Sequence, residues 1–204
     1  MATIAPLPTL VLAAFAAVAM TGCAVSLDLN DDTTRRIDED TIPLGDLDAL
    51  AITTDNGQVD VVAGNVTAVE LRAVLVESDR GDADYTVRRE ATGDTERLVI
   101  DGECDGGWLD RCSVGFRVVV PADFDVDITT DNGRIDVDGI TGDLDIRTDN
   151  GAIDGDDLGA ATAIAQTDNG RIELSFADTP STVDAETDNG RICLLYTSPS
   201  PRDA

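Results

Sequence analysis

Five aspartates stand in one recurring four-residue phrase, Thr-Asp-Asn-Gly, which begins at Thr54, Thr130, Thr148, Thr167 and Thr187. Carboxylate and carbonyl oxygens are the ligands that Ca²⁺ prefers in proteins. If the fold brings the last four phrases together, the candidate metal ligands are Asp131, Asp149, Asp168 and Asp188. The alternative is an Asx-type turn, in which each carboxylate accepts a hydrogen bond from its own backbone and no metal is needed.

The phrase also predicts a turn, because asparagine and glycine both accept a positive φ at low cost. One variable residue and then valine or isoleucine follow every glycine, so each turn is expected to lead directly into a strand. The predicted turn residues are Asp55, Asn56, Gly57, Asp131, Asn132, Gly133, Asp149, Asn150, Gly151, Asp168, Asn169, Gly170, Asp188, Asn189 and Gly190.

The last four phrases are separated by 18, 19 and 20 residues, and a near-constant period indicates a repeat architecture. Between phrases, apolar residues alternate with charged ones, as at Ile135, Val137, Leu144 and Ile146, which indicates half-buried strands. We therefore expect an all-β protein: a parallel β-solenoid with coils of 18–20 residues, degenerate in the N-terminal half. An antiparallel meander with recurrent hairpin turns is the alternative, but it would not need identical turns in every unit.

Stacked coils would place like charges side by side. Adjacent strands lie ~4.8 Å apart, so the aspartates of the phrase would form one column, and Asp136, Asp154 and Glu173 a second. Two carboxylates at that distance repel by about 0.9 kcal/mol in water. Asparagine ladders and the arginines that follow the turns, Arg134, Arg171 and Arg191, are expected to offset this repulsion.

The composition is strongly acidic: 204 residues carry 41 acids and 14 arginines, with no lysine or histidine, for a net charge of −27. Such a charge argues against a nucleic-acid partner and against attraction to anionic lipid. The acids and arginines recur with the repeat instead of forming one unusual cluster, so the chain is not expected to be an enzyme. The alternative is a polysaccharide-active β-helix enzyme, which would use carboxylates in catalysis.

The N-terminus has the features of an export signal over residues 1–22. Leu10 to Met20 are apolar and too few to span a membrane. They lead into Met20-Thr21-Gly22-Cys23, which resembles a bacterial lipobox, so Cys23 is the predicted lipidation site. A lipid would anchor the chain to a membrane without spanning it. The alternative is an N-terminal anchor with a free Cys23.

Residue 24 is alanine, and nothing there indicates retention at an inner membrane, so the expected location is the outer membrane or the cell surface. Residues 23–44 are polar and acidic and are predicted to be a tether. The expected domain follows over 45–192. Its Cys104 and Cys112 lie in one short, glycine-rich loop of an exported chain and are predicted to form a disulfide.

The stretch GGWLDRCSVGFRVVVPADFDVDITTDNGRIDVDGITGDLDIRTDNGAI resembles the bacterial putative-adhesin family of β-solenoid domains. That family pairs a V-P-A-x strand end with repeated T-x-N-G-x-I coils, and the resemblance extends over 45–192. It implies a non-catalytic solenoid facing the cell envelope, often anchored by lipid, with an envelope or surface partner that the resemblance leaves unnamed. The resemblance implies no cofactor. Ca²⁺ is suggested only by the column of aspartates.

The last residues, 193–204, break the alternation. They resemble the translation of a sequencing adapter and are predicted to be a non-native tail; the alternative is a genuine proline-rich tail. We expect the natural chain to continue beyond Ile192 with more coils and a cap.

Overall fold

The computed structural model describes residues 27–28, 33–78, 81–92, 95–105 and 112–196. Within these ranges the chain forms strands and their connections but no helix, which confirms the all-β prediction. The strands are β1 (Leu27–Asp28), β2 (Thr33–Pro43), β3 (Leu47–Asn56), β4 (Val59–Ala63), β5 (Ala68–Ser78), β6 (Asp82–Thr92), β7 (Thr95–Asp105), β8 (Ser113–Val120), β9 (Asp125–Asn132), β10 (Ile135–Asp138), β11 (Leu144–Thr148), β12 (Ile153–Leu158), β13 (Thr162–Thr167), β14 (Ile172–Phe176), β15 (Thr182–Thr187) and β16 (Ile192–Tyr196).

These strands form two open sheets. The nine-stranded sheet has the order β1-β2-β5-β8-β4-β10-β12-β14-β16, and the seven-stranded sheet has the order β15-β13-β11-β9-β3-β7-β6. From β9 onward, successive strands alternate between the two sheets, and the pairs among these strands are parallel. The parallel pairing predicted from the repeat is therefore confirmed for the C-terminal half.

The core lies between the two sheets and is filled by the apolar residues of the alternating pattern. Ile135, Ile153 and Ile172 are buried register partners in the nine-stranded sheet. Ile128 and Ile146 form the same kind of buried row in the seven-stranded sheet. Each such side chain contributes roughly 1.5–3 kcal/mol when it is buried, so the regular half is stabilised by repeated apolar layers.

The first phrase stacks directly on the second, although 76 residues separate them. In the seven-stranded sheet β3 pairs with β9 in parallel, and Asn56 lies opposite Asn132. In the nine-stranded sheet β4 pairs with β10, and Val59 lies opposite Ile135. Residues 64–124 are thus inserted between the two phrases in sequence but not in space, because their strands β7 and β8 pair with the other sides of β3 and β4. The prediction that degenerate coils fill this part of the sequence is wrong.

Antiparallel pairs within the inserted region explain the difference. β5 pairs antiparallel with both β2 and β8, and β6 pairs antiparallel with β7. These strands of 8–11 residues are longer than the 4–6 residues of the strands β10–β16. The connection between β6 and β7 is short, and a short connection can join only antiparallel neighbours.

Part of the predicted tether is a strand. Residues 33–43 form β2, which pairs with β5 over its whole length. Ile42 is buried in the core, and Ile37 is half-buried. Ile37 and Ile42 are five residues apart and lie on opposite faces of the strand, so this segment lacks the apolar alternation by which a strand is recognised in a sequence.

The glycines of the phrase are required by close packing, not by a turn with positive φ. Among the described residues, the positive-φ positions are Gly45, Gly57, Gly139 and Asp157, so none of the last four phrases contributes one. Instead, each glycine lies against the carbonyl of the glycine one layer before it. A Cβ atom on Gly151 would be 1.8 Å from the Gly133 oxygen, and one on Gly170 would be 1.7 Å from the Gly151 oxygen.

We expect Gly151→Ala to destabilise the protein by about 1–3 kcal/mol, because backbone must move to admit the methyl group. The matched control is Gly159→Ala, whose Cβ would lie nearest to the side chain of the exposed Thr141, at 2.8 Å, and would meet its backbone only at 3.6 Å, an ordinary contact distance. Urea unfolding followed by circular dichroism measures both. Equal stability of Gly151→Ala and the parent protein would contradict the close-packed glycine column.

Candidate functional site

The corner between the two sheets is built by the repeated phrase, and its threonines point inward. The buried hydroxyls of Thr148 and Thr167 donate to the carbonyls of Gly133 and Gly151, both at 3.1 Å. Thr54, in the first phrase, donates instead to the Val114 carbonyl at 2.8 Å. Each bond joins the end of one strand to the adjacent layer, so the threonines fix the position of the corner.

The asparagine side chains form a continuous hydrogen-bonded ladder along this corner. Each Nδ2 donates to the Oδ1 of the asparagine one layer earlier. The four bonds are Asn132 to Asn56, Asn150 to Asn132 and Asn169 to Asn150, each at 3.0 Å, and Asn189 to Asn169 at 3.1 Å. The ladder expected from the sequence is confirmed, and it includes the first phrase.

The aspartates of the last four phrases lie on the exposed side of the corner, one in each layer. Asp55, in the first phrase, is half-buried and accepts a hydrogen bond from the Cys104 N–H at 3.3 Å. The backbone N–H of Asn150 donates to the Asp131 carbonyl at 2.8 Å, which keeps consecutive phrases in register. Partial burial raises the pKa of Asp131, and the neighbouring carboxylates of Asp149 and Asp55 raise it further. The column of like charges predicted from the sequence is therefore present.

The described part of the chain contains no group of three or more cysteine, aspartate or glutamate side chains arranged to hold a metal ion. The carboxylates of Asp131, Asp149, Asp168 and Asp188 also accept no hydrogen bond from the described residues, so the Asx-turn alternative does not describe them. They remain an exposed file with one carboxylate per layer. The calcium site at these positions stays a prediction.

A second row of acids crosses the outer face of the nine-stranded sheet. Asp60, Asp136, Asp154 and Glu173 are successive register partners on β4, β10, β12 and β14. The row lies in an open groove of about 760 Å³. The sequence predicted the last three members, and Asp60 joins them because β4 stacks on β10.

Each gap in this acidic row is bridged by a side chain from the position after the phrase. Gln58 Nε2 donates to Asp60 at 2.8 Å and to Asp136 at 3.0 Å. Arg134 Nη2 lies 2.6 Å from Asp136 and 2.9 Å from Asp154. In the next layer, Arg171 Nη2 lies 2.7 Å from Asp154, and Arg171 Nε lies 3.9 Å from Glu173.

The pKa shifts follow from this arrangement. The hydrogen bond to Asp136 is the main cause that raises the pKa of Arg134. Burial raises the pKa of Asp136, and Arg134 offsets that effect only in part. Arg191, which follows the last phrase, makes no ion pair with the described residues. Its own layer carries Cys193 opposite Glu173, where the earlier layers carry an acid.

Sequence reasoning missed Gln58 as a bridging residue. The signal was present, since Gln58 follows Gly57 just as Arg134 follows Gly133. It was overlooked because a neutral amide was not considered as a partner for two carboxylates.

A disulfide joins Cys104 at the end of β7 to Cys112 before β8, as the sequence predicts, with Cα atoms 5.8 Å apart.

The predicted lipidation site, Cys23, lies outside the described residues. Of the tail, residues 193–196 belong to β16, where Leu195 and Tyr196 are about half exposed, and residues 197–204 are not described. Within the described ranges no helix is long and apolar enough to cross a membrane.

No protein-family model matches the chain, and no curated protein sequence matches it. Among solved structures, it is similar to a putative cell adhesion protein from Clostridium sporogenes ATCC 15579. The TM-score is 0.64 at 8% identity, over 80% of this chain and 100% of that one. This likeness shows a shared fold.

Two further solved structures align over much of the chain, but their TM-scores are too low to indicate a shared fold. A putative adhesin from Bacteroides fragilis NCTC 9343 gives 0.26 at 8% identity, over 80% of this chain and 97% of that one. A putative lipid binding protein from Parabacteroides distasonis ATCC 8503 gives 0.24 at 12% identity, over 83% and 98%.

We expect Asp131→Asn to stabilise the protein at pH 7 and low salt by about 0.2–1 kcal/mol, because it removes like-charge repulsion across adjacent strands. The raised pKa of Asp131 means that the folded state binds this proton more readily than the unfolded state. Protonation of Asp131 therefore stabilises the folded state fully below pH 3.8, the ordinary pKa of the carboxyl group. This stabilisation is lost as the pH rises through the pKa of Asp131 in the folded state. Thermal unfolding between pH 3 and 7 measures the difference.

The same melts, repeated in CaCl₂ and in NaCl of equal ionic strength, separate metal binding from screening. Asp123→Asn, outside the column, is the matched control. If the aspartates bind calcium, CaCl₂ should raise the melting temperature of the parent protein more than that of Asp131→Asn, and NaCl should show no such difference. If the salts act only by screening charge, CaCl₂ and NaCl should raise the melting temperature of the parent protein equally. A destabilised Asp131→Asn protein without calcium would contradict the repulsive column.

Proposed function

We propose that this chain is an adhesive or interaction module of the cell envelope: a non-catalytic β-solenoid lipoprotein held at a membrane by a lipid on Cys23. The two-sheet stack is its parallel solenoid, and residues 64–124 are an insertion at the first layer. The outer membrane or the cell surface is its proposed location, and its partner is another component of the envelope or of an external surface.

The observation that carries the proposal is the ordered charge on the outer face of the nine-stranded sheet. Asp60, Asp136, Asp154 and Glu173 are held in register and bridged by Gln58, Arg134 and Arg171. Asp136 and Asp154, at the centre of the row, are each restrained by two neighbours, which makes this part of the face rigid. A rigid array with the same spacing in every layer suits contact with an extended surface.

Two further observations support a surface role. The fold is similar to that of a putative cell adhesion protein. The Cys104–Cys112 disulfide is typical of proteins that fold in an oxidising compartment outside the cytoplasm. Catalysis needs a distinct cluster of an acid, a base or a nucleophile in a cleft, whereas the described acids repeat from layer to layer. A polysaccharide-active enzyme is therefore not proposed.

A calcium-binding scaffold is the second candidate. The observation that favours it is the exposed row of phrase aspartates, in which partial burial and then the carboxylates of Asp149 and Asp55 raise the pKa of Asp131. Divalent cations between layers would neutralise this row and stiffen the corner. The two candidates are compatible, and the melts in CaCl₂ and in matched NaCl decide the second.

We expect Cys23→Ala to release the protein from membranes while leaving the fold intact, because removal of the lipid removes the anchor. Fractionation of expressing cells measures the release, and protease accessibility on intact cells measures surface exposure. Cys193→Ala is the matched control, since that cysteine is exposed and is not expected to carry lipid.

Adhesion of cells that display the parent protein should exceed that of cells with Cys23→Ala at equal expression. Membrane retention of Cys23→Ala would contradict the lipid anchor. Equal adhesion by cells with and without the displayed protein, tested on abiotic and cellular surfaces, would contradict the adhesive role.

A further inference from the structure

Three arginines converge on one trough at the other end of the same sheet face. Arg72 on β5 and Arg117 on β8 are direct register partners in an antiparallel pair. Arg35 on β2 lines the same trough, which has a volume of about 330 Å³. In a chain with a net charge of −27, this is a local concentration of positive charge.

Arg72 and Arg117 face each other across one strand pair, and each faces an acid, Glu39 or Asp60, on its other neighbouring strand. Like charges directly opposite each other on adjacent strands repel, and both side chains are about half exposed. Each has one distant carboxylate partner: Arg72 Nε lies 3.9 Å from Glu39, and Arg117 Nη1 lies 3.8 Å from Asp60. Most of their N–H donors are therefore left for a ligand.

Arg35 supplies a second cationic end. It makes no ion pair with the described residues. On β2 it pairs with Val76, four residues along β5 from Arg72, so the two ends lie roughly 13 Å apart at 3.3–3.4 Å per residue. The trough is thus elongated, with guanidinium groups at both ends.

The floor between the two ends is apolar and shallow. Val74 and Gly115 are register partners at its centre, and both line the trough. A Cβ atom on Gly115 would lie 3.0 Å from the Gln58 carbonyl oxygen, so glycine keeps this floor flat. Ser113 adds a hydroxyl near the Arg35 end, and Asp60 is the one carboxylate among the lining residues.

We propose that this trough, defined by Arg35, Arg72, Val74, Gly115 and Arg117, binds an acidic oligosaccharide through its carboxylate or sulfate groups. Guanidinium groups pair with such oxyanions through two parallel hydrogen bonds. The flat floor accepts the apolar face of a sugar ring between the charged ends. An anion also relieves the repulsion between Arg72 and Arg117. The proposal gives the adhesive module a class of ligand. Its biological role rests on the proposed function, whereas the binding itself does not.

The test is calorimetric titration of the full chain with trigalacturonate, with a sulfated trisaccharide and with inorganic sulfate, each at low salt. Neutral galactotriose controls for charge. We expect binding of at least one acidic trisaccharide, weaker binding of sulfate, none of galactotriose, and loss of affinity with added NaCl. The trisaccharide that binds more tightly shows whether the trough prefers carboxylate or sulfate groups.

The variants Arg72→Gln and Arg117→Gln should each weaken binding about tenfold or more, because each removes a charge-assisted pair. Each variant should change the melting temperature of the free protein little, because the loss of one exposed ion pair, to Glu39 or to Asp60, is offset by relief of the repulsion between the two arginines. The matched control is Arg97→Gln on the seven-stranded sheet, where Arg97 pairs with Asp127 at 3.6 Å, and it should leave affinity unchanged.

Three results would overturn the proposal: no binding of either acidic trisaccharide, equal loss of affinity in Arg97→Gln, or equally tight binding of a tetraglutamate peptide. The last would show a site for charge alone. Because the titration uses protein in solution, its failure would leave the lipid anchor and the adhesive role untouched. Likewise, a negative result in the cell-adhesion experiment would not contradict oligosaccharide binding measured in solution.

Discussion

The contact on which the rest of the structure depends is the backbone-on-backbone packing of glycines at the sheet corner. Gly133, Gly151, Gly170 and Gly190 each lie so close to the carbonyl one layer before that no side chain fits. This spacing brings Thr148 Oγ1 within 3.1 Å of Gly133 and Asn150 Nδ2 within 3.0 Å of Asn132. A corner that is fixed in this way sets the register of every strand that leaves it. The buried isoleucine rows and the outer charged rows both follow from that register.

The same register creates the electrostatic problem of the fold. It stacks Asp131 on Asp149 at the corner and Asp136 on Asp154 on the sheet face. On the sheet face the repulsion is offset by arginines and one glutamine that reach across two layers. At the corner the carboxylates have no such partners among the described residues and stay exposed. The two columns therefore differ: the acids on the sheet face are cross-linked and their charge is partly compensated, whereas the carboxylates at the corner form an open row of negative charge.

Much of this could be predicted from the sequence, because the repeat is local. The strands after Asn132, their parallel pairing, the asparagine ladder and the Cys104–Cys112 disulfide all follow from spacing and residue type. The insertion could not be predicted, since the pairing of Asn56 with Asn132 is a contact across 76 residues that no local pattern encodes. The Arg72–Arg117 pair was missed for the same reason: it depends on the antiparallel register of β5 and β8. The role of glycine was misassigned, because a turn motif and a close-packed column use the same residue.

The most direct test of this stacking is the register between the first and second phrases, measured by engineered disulfides. Register partners on adjacent parallel strands lie ~4.8 Å apart, which is within the Cα range that a disulfide accepts. With Cys193 replaced by serine, the pair Asn56→Cys and Asn132→Cys should cross-link on mild oxidation, as detected by peptide mass spectrometry. The pair Asn56→Cys and Asn150→Cys, two layers apart, should not. Cross-linking of the second pair and not the first would contradict the direct stacking of the first phrase on the second.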